Sequence, residues 1–176
     1  MSKKFLLRFA RHQNGLSAIE FALVAPIMIT IYFGAYEMCD VLLMDRKVTN
    51  VAAVSTDLIA QETQITNSDM TNIFNAATPI MAPYDLTNLQ IVVSSVTPDN
   101  NGNPKVAWSD AYHGTARAPG SSITLPAGIL QAGASIIVSE VVYTYATPIG
   151  QFVKSGMTVS DQFYQRPRHV TVIPRI

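Results

Sequence analysis

Asn14-Gly15-Leu16-Ser17-Ala18-Ile19-Glu20-Phe21-Ala22-Leu23-Val24-Ala25-Pro26 is the stretch whose reading sets the rest of this chain in order. A glycine closes a short basic leader, and a nearly unbroken apolar segment follows, with one carboxylate near its beginning. The glycine stands five residues before that glutamate. Phe21 to Tyr36 carries no charge, and apolar character begins at Leu16 and reaches about Met38. At ~1.5 Å per residue, ~20 residues suffice to cross a hydrocarbon core. An ionisable side chain at the edge of such a core is costly, so Glu20 calls for an explanation.

The charges on either side give the segment a direction. Lys3, Lys4, Arg8 and Arg11 precede it with no acidic residue among them, while Glu37 and Asp40 follow it. The positive-inside rule then keeps the N-terminus in the cytoplasm and exports the rest. A cleavable secretory signal would have a shorter apolar core followed by a small-residue site, and no convincing A-x-A site follows this one. Any cut lies before the apolar segment and leaves it attached.

Composition points to one anchored domain. The chain has 176 residues, equal numbers of acidic and basic side chains and a single cysteine. Its pI of about 6.8 argues against a nucleic-acid partner, which calls for a basic surface. Loss of the leader would remove four positive charges and leave the remainder mildly acidic. Cys39 has no partner for an intramolecular disulfide. Packing or lipid contact is its plainest reading.

Helical periodicity runs on beyond the apolar segment. Val41, Met44, Val48, Val51, Ser55 and Leu58 recur at alternating spacings of three and four, one stripe of a helix. Asp40, Lys47, Asn50, Thr56, Asp57 and Gln61 fall mostly off it. One helix from Leu16 to about Glu62 follows, ~70 Å long. Its first half would lie in lipid and its second against a soluble domain, with a coiled coil between subunits as the minority reading of the stripe. Pro26 and Gly34 are the places where a bend is expected.

The period then changes. Met70, Ile73, Phe74 and Ala77 predict a short helix, capped by Ser68 or Asp69 and ended by Pro79. Leu89–Val96 reads as a strand, Pro98–Pro104 as a turn and Lys105–Ser109 as the returning strand. A loop rich in glycine, alanine, proline and serine runs from His113 to Pro126. Ser135–Tyr145 is the strongest strand. A short helix around Ile149 to Val153 and strands at Met157–Tyr164 and His169–Ile173 complete the chain. Tyr143, Tyr145, Phe163 and Tyr164 are expected to pack on the sheet, with adhesion by exposed aromatics as the alternative. The fold class is α+β: a long N-terminal transmembrane and amphipathic helix packed on an antiparallel sheet. The expected organisation is a basic leader over 1–15, a transmembrane helix over 16–38, its continuation over 39–64 and an exported α+β domain over 65–176.

Gly15 to Pro26 resembles the N-terminal signature of TadE-like proteins, the minor pilins or pseudopilins of tight adherence (Flp) pili. Val141-Val142-Tyr143-Thr144-Tyr145, leading to Pro148, is similar to the family's strand before a proline-containing turn, and the chain length is suitable. Phe21 departs from the tyrosine common after the glutamate in the major pilins, which leans toward a minor component. The resemblance implies cleavage between Gly15 and Leu16 by a membrane-embedded prepilin peptidase, where a glycine lets the backbone approach the catalytic carboxylates. It implies that Glu20 neutralises the new amine of Leu16 in its own or a neighbouring subunit. It also implies major Flp pilin, other minor pilins, an inner-membrane assembly platform and membrane lipid as partners. Phe21 and Pro26 belong to the signature. The place implied is the bacterial inner membrane, single-pass, with a periplasmic C-terminal domain and possible entry into the extracellular pilus. The roles implied are pilus assembly, surface adhesion and biofilm formation.

Plainer readings stand beside these. Glu20 could snorkel at the end of a generic anchor, and Gly15 could be an ordinary helix-start residue. An uncleaved bitopic protein with a periplasmic binding domain is the alternative function. For an enzyme the signals are missing. His12, His113 and His169 stand in unrelated contexts, Asp110 beside His113 has no nucleophile in a recognisable motif, and no metal-ligand spacing, G-x-S-x-G elbow or phosphate loop occurs. Neither catalytic residues nor a metal or cofactor are expected. Arg166-Pro167-Arg168-His169 reads as a solvated strand edge rather than an anion site.

Overall fold

In the computed structural model, which describes residues 14–146 and 156–176, the apolar segment and the amphipathic stripe form one helix, α1 (Asn14–Gln61). Its 48 residues span ~72 Å at the helical rise. Pro26 lies inside it, and the Thr30 hydroxyl donates to the Pro26 carbonyl at 2.7 Å, in the turn that follows the proline. The apolar stripe does what its spacing predicts. Met44, Val48, Val51 and Ser55 are buried, joined by Ala52, Ile59 and Ala60.

The second helix, α2 (Asn67–Ala77), buries Met70, Ile73, Phe74 and Ala77, the four residues that announce it. Its cap is corrected. Thr66, not Ser68 or Asp69, occupies the cap position, and its side chain accepts from the Asp69 amide at 3.1 Å while Asp69 accepts from the Thr66 amide at 2.9 Å. This capping box uses Asp69 as the third residue of the helix rather than as the cap. A turn of 3-10 helix (Thr78–Met81) follows, with Pro79 tolerated at its start.

Four strands follow: β1 (Leu89–Pro98), β2 (Pro104–Tyr112), β3 (Ile136–Tyr145) and β4 (Met157–Gln165). They form an antiparallel sheet in the order β2-β1-β3-β4. The first hairpin turns on Asp99, whose carboxylate accepts from the Asn101 and Asn103 amides at 2.8 Å, with Gly102 at φ +82° in the left-handed region. Strand alternation sorts the side chains. Leu89, Ile91, Val93, Trp108, Ile137, Val141, Tyr143 and Tyr145 meet both helices in the main core. Val96, Val106, Ile136 and Val138 enter a second, smaller cluster with Ile123. Leu125, Ile129 and Leu130 pack against it, so the segment after β2 covers part of the sheet's other face. The glycine- and proline-rich loop thus has a packing role that its composition alone does not show.

Two further expectations change. His169–Ile173 is not a strand; the tail from Arg166 runs across the domain and makes one bridge, between Ile65 and Arg175. The basic cluster is solvated, with Arg166, Arg168 and His169 exposed, but it follows β4 rather than lying in a strand. Arg168 donates its backbone amide to the Ala60 carbonyl at 2.9 Å and pairs with Asp57 of α1, while Arg166 reaches the Ile129 carbonyl. The helix expected around Ile149 to Val153 lies outside the described residues.

Candidate functional site: the helix and its exit into the domain

Gly15 and Leu16 lie in the first turn of α1, and the leader that precedes Asn14 falls outside the described residues. Leu16 and Glu20 are four residues apart, a spacing that puts them on one face of the helix. Glu20 and Phe21 are exposed, as are Leu23, Ile27, Met28, Ile29, Ile31 and Tyr32. The helix is long and apolar enough to cross a membrane, and among the described residues none of its most apolar window is buried.

The domain takes hold of α1 at Glu37. Glu37 is 0% exposed, and its charge bears on Tyr145. One turn on, Asp40 accepts hydrogen bonds from two tyrosines. Tyr84 donates to Asp40 Oδ1 at 2.7 Å and to the Asp40 carbonyl at 3.1 Å, and Tyr145 donates to Asp40 Oδ2. Burial, and then the Asp40 carboxylate, push the pKa of both tyrosines above the usual tyrosine range. The rings of Tyr84 and Tyr145 lie 6.5 Å apart, edge to face. About two turns further on, Lys47 donates to the Ile80 carbonyl at 3.0 Å and Thr49 to Asp161 of β4 at 2.5 Å. The exit of the apolar helix is therefore fixed by charge-assisted hydrogen bonds before the apolar stripe takes over.

Glu37 and Asp40, which in the sequence mark the far side of the apolar segment, are contacts with the domain. The signal that finds them is the stripe itself. Continued backwards from Val41 and Met44 by four residues, it lands on Glu37 and on Asp40, which its charge alone sets off the stripe. Tyr84 had no comparable signal, since it reaches Asp40 through a loop rather than through a periodic element. Tyr143 and Tyr145 pack as expected, whereas Phe163 remains 36% exposed. Cys39 is a free, exposed thiol on the helix.

Asp110 and His113 do not form a pair. Asp110 is held by Arg175 at 2.8 Å, and His113 contacts the Leu86 carbonyl and stacks on Tyr112. Among the described residues no group of three or more His, Cys, Asp or Glu side chains could hold a metal ion.

The family model described as TadE-like protein matches residues 15–56. This segment is TadE-like. The match covers the lipid-compatible half of α1, its exit at Glu37 and Asp40, and most of the stripe that packs on the sheet. The match ends inside α1, before α2 and the sheet. No curated protein and no solved structure matches the chain.

Proposed function

We propose that this chain is a minor pilin or pseudopilin of a tight adherence pilus, cleaved between Gly15 and Leu16 by a prepilin peptidase. The observation that carries the reading is the TadE-like match beginning at Gly15 on a helix that is apolar and uncovered for its first half and domain-bound for its second. In the precursor, the basic leader stays cytoplasmic and the sheet domain is periplasmic. Cleavage frees the Leu16 amine, which has a typical pKa of about 7.7 to 8.0 and is protonated at neutral pH. Glu20 lies one helical turn away, on the same face, and a carboxylate in a first turn is favoured by the helix dipole. Pairing of that amine with Glu20 of the same or a neighbouring subunit offsets the cost of both charges near lipid and sets the register of assembly.

The partners of this reading are the prepilin peptidase, major Flp pilin, other minor pilins and the inner-membrane platform. Its outputs are assembly, adhesion and biofilm formation, with no catalytic residue in the chain. The test replaces Glu20 by Ala in cells that build the pilus. The variant should be cleaved and membrane-anchored but should fail to support surface filaments. Normal filament number with Glu20→Ala would remove the register role, and a normal count after deletion of the whole chain would remove the assembly function.

A further inference from the structure

The two carboxylates that close the apolar segment in the sequence do not close it on the surface of the molecule. Glu37 is fully buried against the domain, and Asp40 is half-buried and bound by Tyr84 and Tyr145. Between them and just beyond, Met38, Cys39, Leu42 and Leu43 are exposed, Leu43 to 58%. From Phe21 to Met44 the sequence contains no other charged residue, so the only charge that reaches the surface of α1 between Phe21 and Leu43 is the partly covered, tyrosine-bound Asp40. The first exposed charges are Asp45 and Arg46.

Length separates two placements of this helix in a bilayer. Phe21 to Tyr36 spans only ~24 Å, less than a ~30 Å hydrocarbon core. Phe21 to Met44 spans ~36 Å, enough to cross with modest tilt or with its ends in the headgroup zone. The exposed stretch Met38–Leu43 continues the membrane-facing surface on the same element, with only the tyrosine-bound Asp40 as an intervening charge. That continuity gives it the same occupant.

We infer that lipid covers the outer face of α1 as far as Leu43, so that the part of the domain that holds Glu37 and Asp40 lies at bilayer depth and Asp45–Arg46 marks the membrane boundary on that face. The inference rests on the membrane-anchored reading proposed above and moves its boundary outward from Met38. Burying Glu37 and Asp40 in the domain is what keeps this face compatible with lipid. A second consequence concerns the other end. Twenty residues counted back from Leu43 end at Val24, which places Glu20 among the headgroups in the unassembled subunit rather than inside the core.

The test is thiol labelling of the full chain in lipid vesicles with a charged, water-soluble maleimide. Cys39 is the native probe; Ile29→Cys, Leu43→Cys, Asp45→Cys and Asn50→Cys are made on a Cys39→Ser background. Cys39 and Leu43→Cys should react at least about tenfold more slowly than Asn50→Cys, because a charged reagent is excluded from hydrocarbon. Asp45→Cys should react at nearly the Asn50→Cys rate. Equal labelling at Leu43→Cys and Asn50→Cys, with Ile29→Cys still protected, would overturn the outward boundary and leave the anchor intact. Labelling at Ile29→Cys would remove the anchor itself. Protection at Leu43→Cys that disappears when the protein is diluted in lipid would assign this face to a second copy and overturn the inference.

Discussion

Asp40 shows at the scale of one residue why the anchor and the domain act as one piece. Its carboxylate takes the hydroxyls of Tyr84 and Tyr145, from two separate parts of the domain. Asp40→Ala strands both hydroxyls and should lower the stability of the full chain in nanodiscs by about 2 to 4 kcal/mol, whereas Tyr84→Phe removes one donor and should lower it by about 1 kcal/mol. Urea unfolding followed by Trp108 fluorescence distinguishes these from an unchanged midpoint. Asp69 contributes to the acid dependence, as do Asp85 and Asp99. The hydrogen bonds of Asp69 to the Thr66 side chain and amide hold its pKa below the usual carboxylate range. The stabilisation is therefore present above about pH 4 and is lost as pH falls through the lowered folded value. Asp69→Asn should flatten the stability profile between pH 5 and 3, and a profile identical to the parent would show that the capping box does not report pH.

At the scale of the element, α1 reads differently on its two faces. Met44 is fully buried, and its neighbour Leu43 points away from the domain. Met44→Ala should cost about 2 to 5 kcal/mol of domain stability. Leu43→Ala should leave the unfolding midpoint nearly unchanged in the same measurement. Similar losses for both would mean that the packed face has been misassigned. The helix and the strands were legible because their periods of 3.6 and 2 are local properties of the chain. The α2 cap was misread by two to three residues, since Thr66, Ser68 and Asp69 all carry the same chemistry and only the backbone decides among them. The tail at His169–Ile173 was misread because branched residues suit a strand, yet among the described residues it meets the start of β3 through one backbone bond, from the Ser135 amide to the Thr171 carbonyl.

At the scale of the molecule, the tail closes the fold. Arg175 binds Asp110 of β2, the Ile65 carbonyl and Asn67 of α2, and the Trp108 indole donates to the Ile173 carbonyl at 2.8 Å. Arg175→Ala breaks several charge-assisted bonds at once and should cost about 2 kcal/mol, read as a lowered urea midpoint. No local pattern announced this closure, because it joins residues more than sixty positions apart. The candidate site divides in the same way. Gly15, Glu20 and the apolar run were legible as a linear signal, whereas the Asp40–Tyr84–Tyr145 joint exists only in three dimensions. Together they describe a helix apolar enough for lipid on one side and held by its own domain on the other. The processed, assembly-competent pilin is the central claim, and its most direct test is the intact mass of the membrane-extracted protein from cells with and without an active prepilin peptidase. The account predicts a chain beginning at Leu16 only when the peptidase is active; an unprocessed chain beginning at Met1 in both would contradict it.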